Sequence, residues 1–133
     1  MKNILEEIAA RTRERIAKEK TCISVSELEN RIQEVNKNAR QKITFLQALQ
    51  KDGMSYICEV KKASPSKGLI APDFPYLAIA KEYEQAGASA ISCLTEPFYF
   101  QGADQYLREI AATVQIPVLL SLIHISEPTR HSL

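Results

Sequence analysis

Glu59 and Lys61 stand two residues apart at the end of Tyr56-Ile57-Cys58-Glu59-Val60, a short β-prone run. Side chains alternate along a strand, so the two point to the same face. A carboxylate and an ammonium held together in a partly dry site alter each other's affinity for protons and can work as a base and acid pair. The run continues as Lys62-Ala63-Ser64-Pro65-Ser66-Lys67-Gly68. Its hydroxyls, the Lys67 ammonium and the backbone amides near Gly68 are donors suited to a phosphate or carboxylate. The same residues also fit a strand-end ion pair followed by a solvated polar turn, and Ser-Pro-Ser-Lys-Gly is not a P-loop. The two histidines, His124 and His131, lie in the last ten residues. Chemistry in residues 1–120 therefore falls to carboxylates, lysines, hydroxyls and backbone groups.

The elements that position this pair follow from pattern. Ser89 to Thr95 is a second apolar strand, and Pro117 to Leu120 starts a third. One helix precedes each of these strands: Phe74 to Ala86, with Pro75 near its first turn and Gly87 as a stop, and Ala103 to Val114. Glu96 to Gly102 is a loop. Strands that are apolar throughout, joined by helical crossovers, predict a parallel sheet. Glu59 and Lys61 then sit at the carboxyl end of the first strand, where ligands bind in α/β barrels and open α/β sheets. Three parallel strands close nothing, and a (β/α)8 barrel needs about 250 residues.

The first forty residues read as helix. Ile4, Leu5, Ile8, Ala9 and Ile16 fall near one face, and Ser24-Val25-Ser26-Glu27 is a capping-box pattern opening a second helix with Leu28, Ile32 and Val35 on one stripe. This segment is charge-rich and reads as an amphipathic arm.

Composition sets the outer limits. The chain has 133 residues, 45% hydrophobic and 25% charged, which matches an ordinary folded protein. A net charge of +1 offers no broad handle for nucleic acid or anionic lipid. No apolar run approaches the roughly 20 residues that span a bilayer, and Glu6 and Glu7 interrupt the only candidate apolar stretch for a secretory signal. The expected compartment is the cytoplasm. Three cysteines, Cys22, Cys58 and Cys93, without C-x-x-C spacing argue against a disulfide framework or a structural zinc site. Cys58 and Cys93 lie in apolar runs and read as inert core thiols.

Glu59 to Gly68 closely resembles the signature of the indole-3-glycerol phosphate synthases. The resemblance extends through Asp73-Phe74, Ala78 to Tyr83, Gly87 to Ser92, Leu94-Thr95-Glu96, Tyr99 to Gly102 and Leu107 to Leu119. It covers about residues 1–119, the helical arm included. It implies an incomplete TIM (β/α)8 barrel of α/β class, with an N-terminal helical extension over 1–52 and about two and a half βα units over 53–120. The implied reaction is the decarboxylating, dehydrating ring closure of 1-(2-carboxyphenylamino)-1-deoxyribulose 5-phosphate in tryptophan biosynthesis. No cofactor and no metal take part. The partner is a phosphorylated small molecule, with neither nucleic acid nor membrane, and fusion or association with other tryptophan-pathway enzymes is compatible with the family.

Residue by residue, the resemblance makes Lys61 the first-strand lysine that meets substrate anionic groups and acts as an acid in the dehydration. Glu59 becomes its proton-transfer partner, Ser64 a loop serine near the substrate, and Phe100 an aromatic packing near the anthranilate ring. Lys62 and Lys67 read as solvated. After the third strand the family carries an Arg- or Cys-Lys-Asp-Phe sequence, whose lysine is the main acid for ring closure. Here Leu120-Ser121-Leu122 stands in that place. The sequence from Leu122 to Arg130 resembles translated adapter sequence, so residues 121–133 read as a non-native tail and the 133-residue chain as inactive. Competing readings are a non-catalytic half-barrel or pseudogene remnant, and another phosphosugar (β/α)8 enzyme such as phosphoribosylanthranilate isomerase. The Lys-Lys-Ala-Ser-Pro-Ser pattern argues against the isomerase.

Overall fold

The computed structural model describes residues 3–38 and 43–121. The tail from Leu122, with both histidines and the adapter-like residues, lies outside the described residues. The chain divides into two compact units.

The first unit holds two helices, α1 (Ile4–Cys22) and α2 (Val25–Asn38). Asn3 caps α1 by accepting the Leu5 amide at 3.1 Å, and Glu6 and Glu7 sit in its positive first turn. On α1, Ile8 and Thr12 are the buried positions. Ser24 caps the start of α2 by accepting the Glu27 amide at 3.2 Å. The Glu27 carboxylate turns instead to Arg31, 2.8 Å away. The predicted stripe of Leu28, Ile32 and Val35 forms but is exposed.

The second unit contains α3 (Phe45–Leu49), β1 (Ile57–Val60), β2 (Ala63–Ser64), β3 (Gly68–Leu69), α4 (Tyr76–Gln85), β4 (Ala90–Leu94), α5 (Asp104–Thr113) and β5 (Val118–Ser121). Parallel strands in the order β1-β4-β5 build the sheet. Glu59 lies beside Ser92, and Ser92 beside Leu119; Val60 lies beside Cys93, and Cys93 beside Leu120. The two intervening helices follow from their ends. Helix α4 stops in a left-handed Gly87 (φ +93°), where the Gly87 amide donates to Glu84 and the Ala88 amide to Tyr83, each at 3.0 Å. That pairing satisfies carbonyls the helix would otherwise leave bare. The α5–β5 turn is tied back by the Glu84 carboxylate, which accepts the Gln115 amide at 2.6 Å and the Ile116 amide at 3.1 Å.

Both helices cover one face of the sheet. Val60, Ala80, Ile91, Cys93, Ile110 and Val114 form the buried core between them. Burial pushes the Cys93 thiol up to about 11, which leaves it protonated and inert at neutral pH. Cys58 is half-buried rather than fully enclosed. At the edge of this core Phe74, Tyr76 and Tyr106 cluster, with ring centroids 4.5 to 5.8 Å apart. The Tyr76 hydroxyl donates to Glu109 at 2.5 Å.

Two elements went unpredicted. Helix α3 lies against β4 and is opened by a reciprocal capping box between Thr44 and Gln47. At five residues it is too short for a periodic pattern to reveal. The β2–β3 hairpin occupies part of the stretch read as an open polar turn. The third strand runs one residue further than predicted, to Ser121, which lies beside Leu94.

Two outcomes are expected. Ile91→Ala, at a fully buried position of the central strand, costs about 2–5 kcal/mol, read as a fall in the urea midpoint at unchanged slope. The hydrogen bond lowers the carboxyl pKa of Glu109 and raises the hydroxyl pKa of Tyr76. A lowered carboxyl pKa adds stability that is present above the ordinary carboxylate range and lost as pH falls through the folded value. The deficit of Tyr76→Phe relative to the parent should therefore be full at neutral pH and vanish in acid, in urea melts across pH.

Candidate functional site

Alternation along β1 decides what faces the open side of the sheet. Val60 is buried in the helix-covered core, so Glu59 takes the opposite face together with its lateral neighbours Ser92 and Leu119. Lys61, one residue past the strand, joins Glu59 on that face: its Nζ lies 2.5 Å from Glu59 Oε1. Their side chains are 31% and 38% exposed. An ion pair this open to water contributes about 1 kcal/mol or less to stability. It holds two groups of opposite charge at the carboxyl end of a strand, the end that carries chemistry in α/β barrels.

Phe100 comes from the loop after β4 and reaches the same place. Lys61 Nζ lies 5.9 Å from the centre of its ring, within the range of a cation–π contact. Ser64 is in the β2–β3 hairpin, 9% exposed. Its hydroxyl accepts the Lys67 amide at 3.2 Å and lies 3.5 Å from the Ser66 hydroxyl. The Lys62 carbonyl closes the hairpin's far side by accepting the Ile70 and Ala71 amides at 2.9 and 3.1 Å. Thus Glu59, Lys61 and Phe100 are brought together, while Ser64 organises the adjoining turn. Lys67 is exposed, as expected for a solvated lysine, and Lys62 is half-buried. Among the described residues no group of three or more His, Cys, Asp or Glu side chains can hold a metal ion. No described helix is long and apolar enough to cross a membrane.

Residue-by-residue reading missed how the Phe100 loop is held. Glu96 lies two residues past the end of β4 and is 2% exposed. Its carboxylate accepts the amides of Phe98, Tyr99 and Phe100 at 3.1, 2.7 and 3.2 Å, and its carbonyl accepts the Gly102 amide at 2.8 Å. The signal was legible: a carboxylate just past a buried, mostly apolar strand has to be enclosed with donors. Gly102 completes the loop. A side chain there would overlap the Leu94 carbonyl oxygen and lie 2.6 Å from Thr95 Cα.

The carboxylate–ammonium pair and the aromatic ring thus lie together at the carboxyl end of the parallel strands. The sequence profile of indole-3-glycerol phosphate synthase matches residues 5–125. The chain belongs to this family. Three relatives, each named indole-3-glycerol phosphate synthase, illustrate the similarity. That of Ruminiclostridium cellulolyticum is 50% identical over 117 residues, covering 87% of this chain and 44% of the relative. That of Lacticaseibacillus paracasei is 49% identical over 116 residues, again 87% and 44%. That of Endomicrobium trichonymphae is 51% identical over 116 residues, with the same coverage. The chain thus spans a little under half the length of the curated relatives it matches. Its sheet and helices are part of a (β/α)8 barrel, and the family match displaces the isomerase alternative.

Gly102→Ala tests the loop packing. The forced shift of Leu94 and Thr95 should cost about 1–3 kcal/mol, measured by urea unfolding, with the helical content seen by circular dichroism unchanged.

Proposed function

We propose that the whole protein is an indole-3-glycerol phosphate synthase. It would close the ring of 1-(2-carboxyphenylamino)-1-deoxyribulose 5-phosphate with loss of CO2 and water. The observation that carries this reading is the Lys61–Glu59 pair set beneath Phe100 at the carboxyl end of the first strand. The reaction asks for three things. An aromatic carbon attacks the ribulose carbonyl, so the carbonyl oxygen must gain a proton as charge builds on it. Carboxylate then leaves as CO2, restoring the aromatic ring. Finally a hydroxyl leaves as water, and it too needs a proton.

Lys61 is suited to meet the anionic groups of the substrate and to donate in the dehydration. Glu59, at ion-pair distance, is suited to take the proton that the carbon beside the nitrogen loses as the double bond forms, and to pass it back to Lys61. Phe100 offers a face for the anthranilate ring, and a ring held there keeps the two reacting ends near each other. Ser64 shapes the neighbouring turn and stands near the substrate's path. No cofactor enters these steps.

The 133-residue chain alone is expected not to turn over. A barrel site is assembled from eight βα loops, and Leu120-Ser121 occupies the place where the family carries its ring-closure lysine. The test joins residues 1–119 to the C-terminal remainder of the R. cellulolyticum relative and follows indole-3-glycerol phosphate by absorbance. The joined protein should be active and the 133-residue chain silent. In the joined protein Lys61→Ala and Glu59→Gln should each lose about 10²- to 10⁴-fold in kcat. An inactive joined protein that is nonetheless folded, or full activity in Lys61→Ala, would sink the assignment.

A further inference from the structure

Among the described residues, Glu96 is the one buried carboxylate near the site that the proposed chemistry does not use. It is 2% exposed, and the partners of its two oxygens are the backbone amides of Phe98, Tyr99 and Phe100. A carboxylate so enclosed is costly unless its lone pairs are filled, and hydrogen bonds to an ionised acceptor are about twice as strong as neutral ones. Glu96 thereby removes the freedom of three successive residues at once. Pro97, which lacks an amide hydrogen, lets the chain turn away from β4 before those donors return to it. Gln101 then takes φ +50°, a left-handed conformation uncommon outside glycine. Gly102 closes the loop against Leu94 and Thr95. The residue at the centre of this arrangement is Phe100, whose ring meets the Lys61 ammonium.

The geometry points to Glu96 as a positioning residue: its carboxylate sets the Phe100 ring over Lys61 by gathering the loop amides, without itself touching substrate. A loop tethered only by side-chain packing would let the ring swing on the nanosecond to microsecond scale. Tethered by its own backbone, it presents a fixed apolar wall to a planar aromatic substrate and a fixed neighbour to the ammonium. The inference rests on the proposed function only in taking Lys61 and Phe100 as substrate contacts. The placement itself is measured without substrate.

The experiment uses the 133-residue chain. Amide hydrogen exchange is followed at Phe98, Tyr99 and Phe100 and, as reference, at Ile91 and Cys93. In parallel the lysines are reductively ¹³C-methylated and the Lys61 signal is assigned with Lys61→Arg. In the parent the loop amides should be protected and the Lys61 methyls shifted by the Phe100 ring. Glu96→Gln should speed exchange at 98–100 by about ten- to a hundredfold and abolish the Lys61 shift, with Ile91 and Cys93 still protected. Glu96→Asp, which keeps the charge but shortens its reach by one methylene, should give intermediate values. Phe100→Leu should lose the Lys61 shift and keep the loop protection. Three results overturn the inference: no loop protection in the parent, no change in Glu96→Gln, or equal loss at β4 and the loop, which would make Glu96 a general core residue. Failure of the joined enzyme to turn over substrate would overturn the functional reading and leave these measurements standing.

Discussion

Everything in the barrel portion hangs on the register of β4 with its two parallel neighbours. β4 is buried along its whole length, and side chains alternate, so its pairing with β1 decides which residues of β1 see helices and which see the open face. Val60 beside Cys93 goes to the helices; Glu59 beside Ser92 goes to the other side. A slip of one residue would bury the Glu59 carboxylate among Ala80, Ile91 and Ile110 and turn Val60 to the opposite face. The cost of burying an unpaired charge is far larger than any gain from the exposed ion pair. Hydrophobic burial therefore chooses the register, and the chemistry inherits it.

The strands and long helices were legible because their cause is local. Apolar runs at Ile57–Val60 and Ala90–Leu94, helices at Tyr76–Gln85 and Asp104–Thr113, and the Gly87 stop each follow from the residues that form them. The Glu59–Lys61 pairing was likewise readable from a spacing of two. What escaped depended on contacts distant in sequence or on chains of backbone donors. Helix α3 is too short for periodicity and owes its place to packing on β4. The hairpin at Ala63–Leu69 is a closed turn within residues whose composition says only that they are polar. Phe100 could be named from resemblance, but its approach to Lys61 depends on how seven residues from Glu96 to Gly102 fold back.

The loop after β4 also shows why buried charge is tolerated beside a site. In a core, an ionised carboxylate would need a cation or would take up a proton. At a strand's carboxyl end the following turn provides unpaired amides that need acceptors anyway. Glu96 and its loop solve each other's problem: the carboxylate is buried, and the amides that fill its lone pairs come from a loop whose outer side stays exposed.

The Glu84 carboxylate performs a similar service at the opposite end of the sheet. It joins the close of the first βα unit to the entry of the strand that follows the second, through Gln115 and Ile116. The Ser89 and Ala90 amides meanwhile return to the Tyr56 carbonyl at the same end. Cohesion between repeats is thus supplied at the amino ends of the strands, while the Glu59–Lys61 pair and the Phe100 loop lie at the carboxyl ends. The fold carries a division of labour in which the loops at the rim can be rewritten without unfastening the floor. A lineage can trade one chemistry for another, or a designer can graft new loops, while the same stitching keeps adjacent units in step.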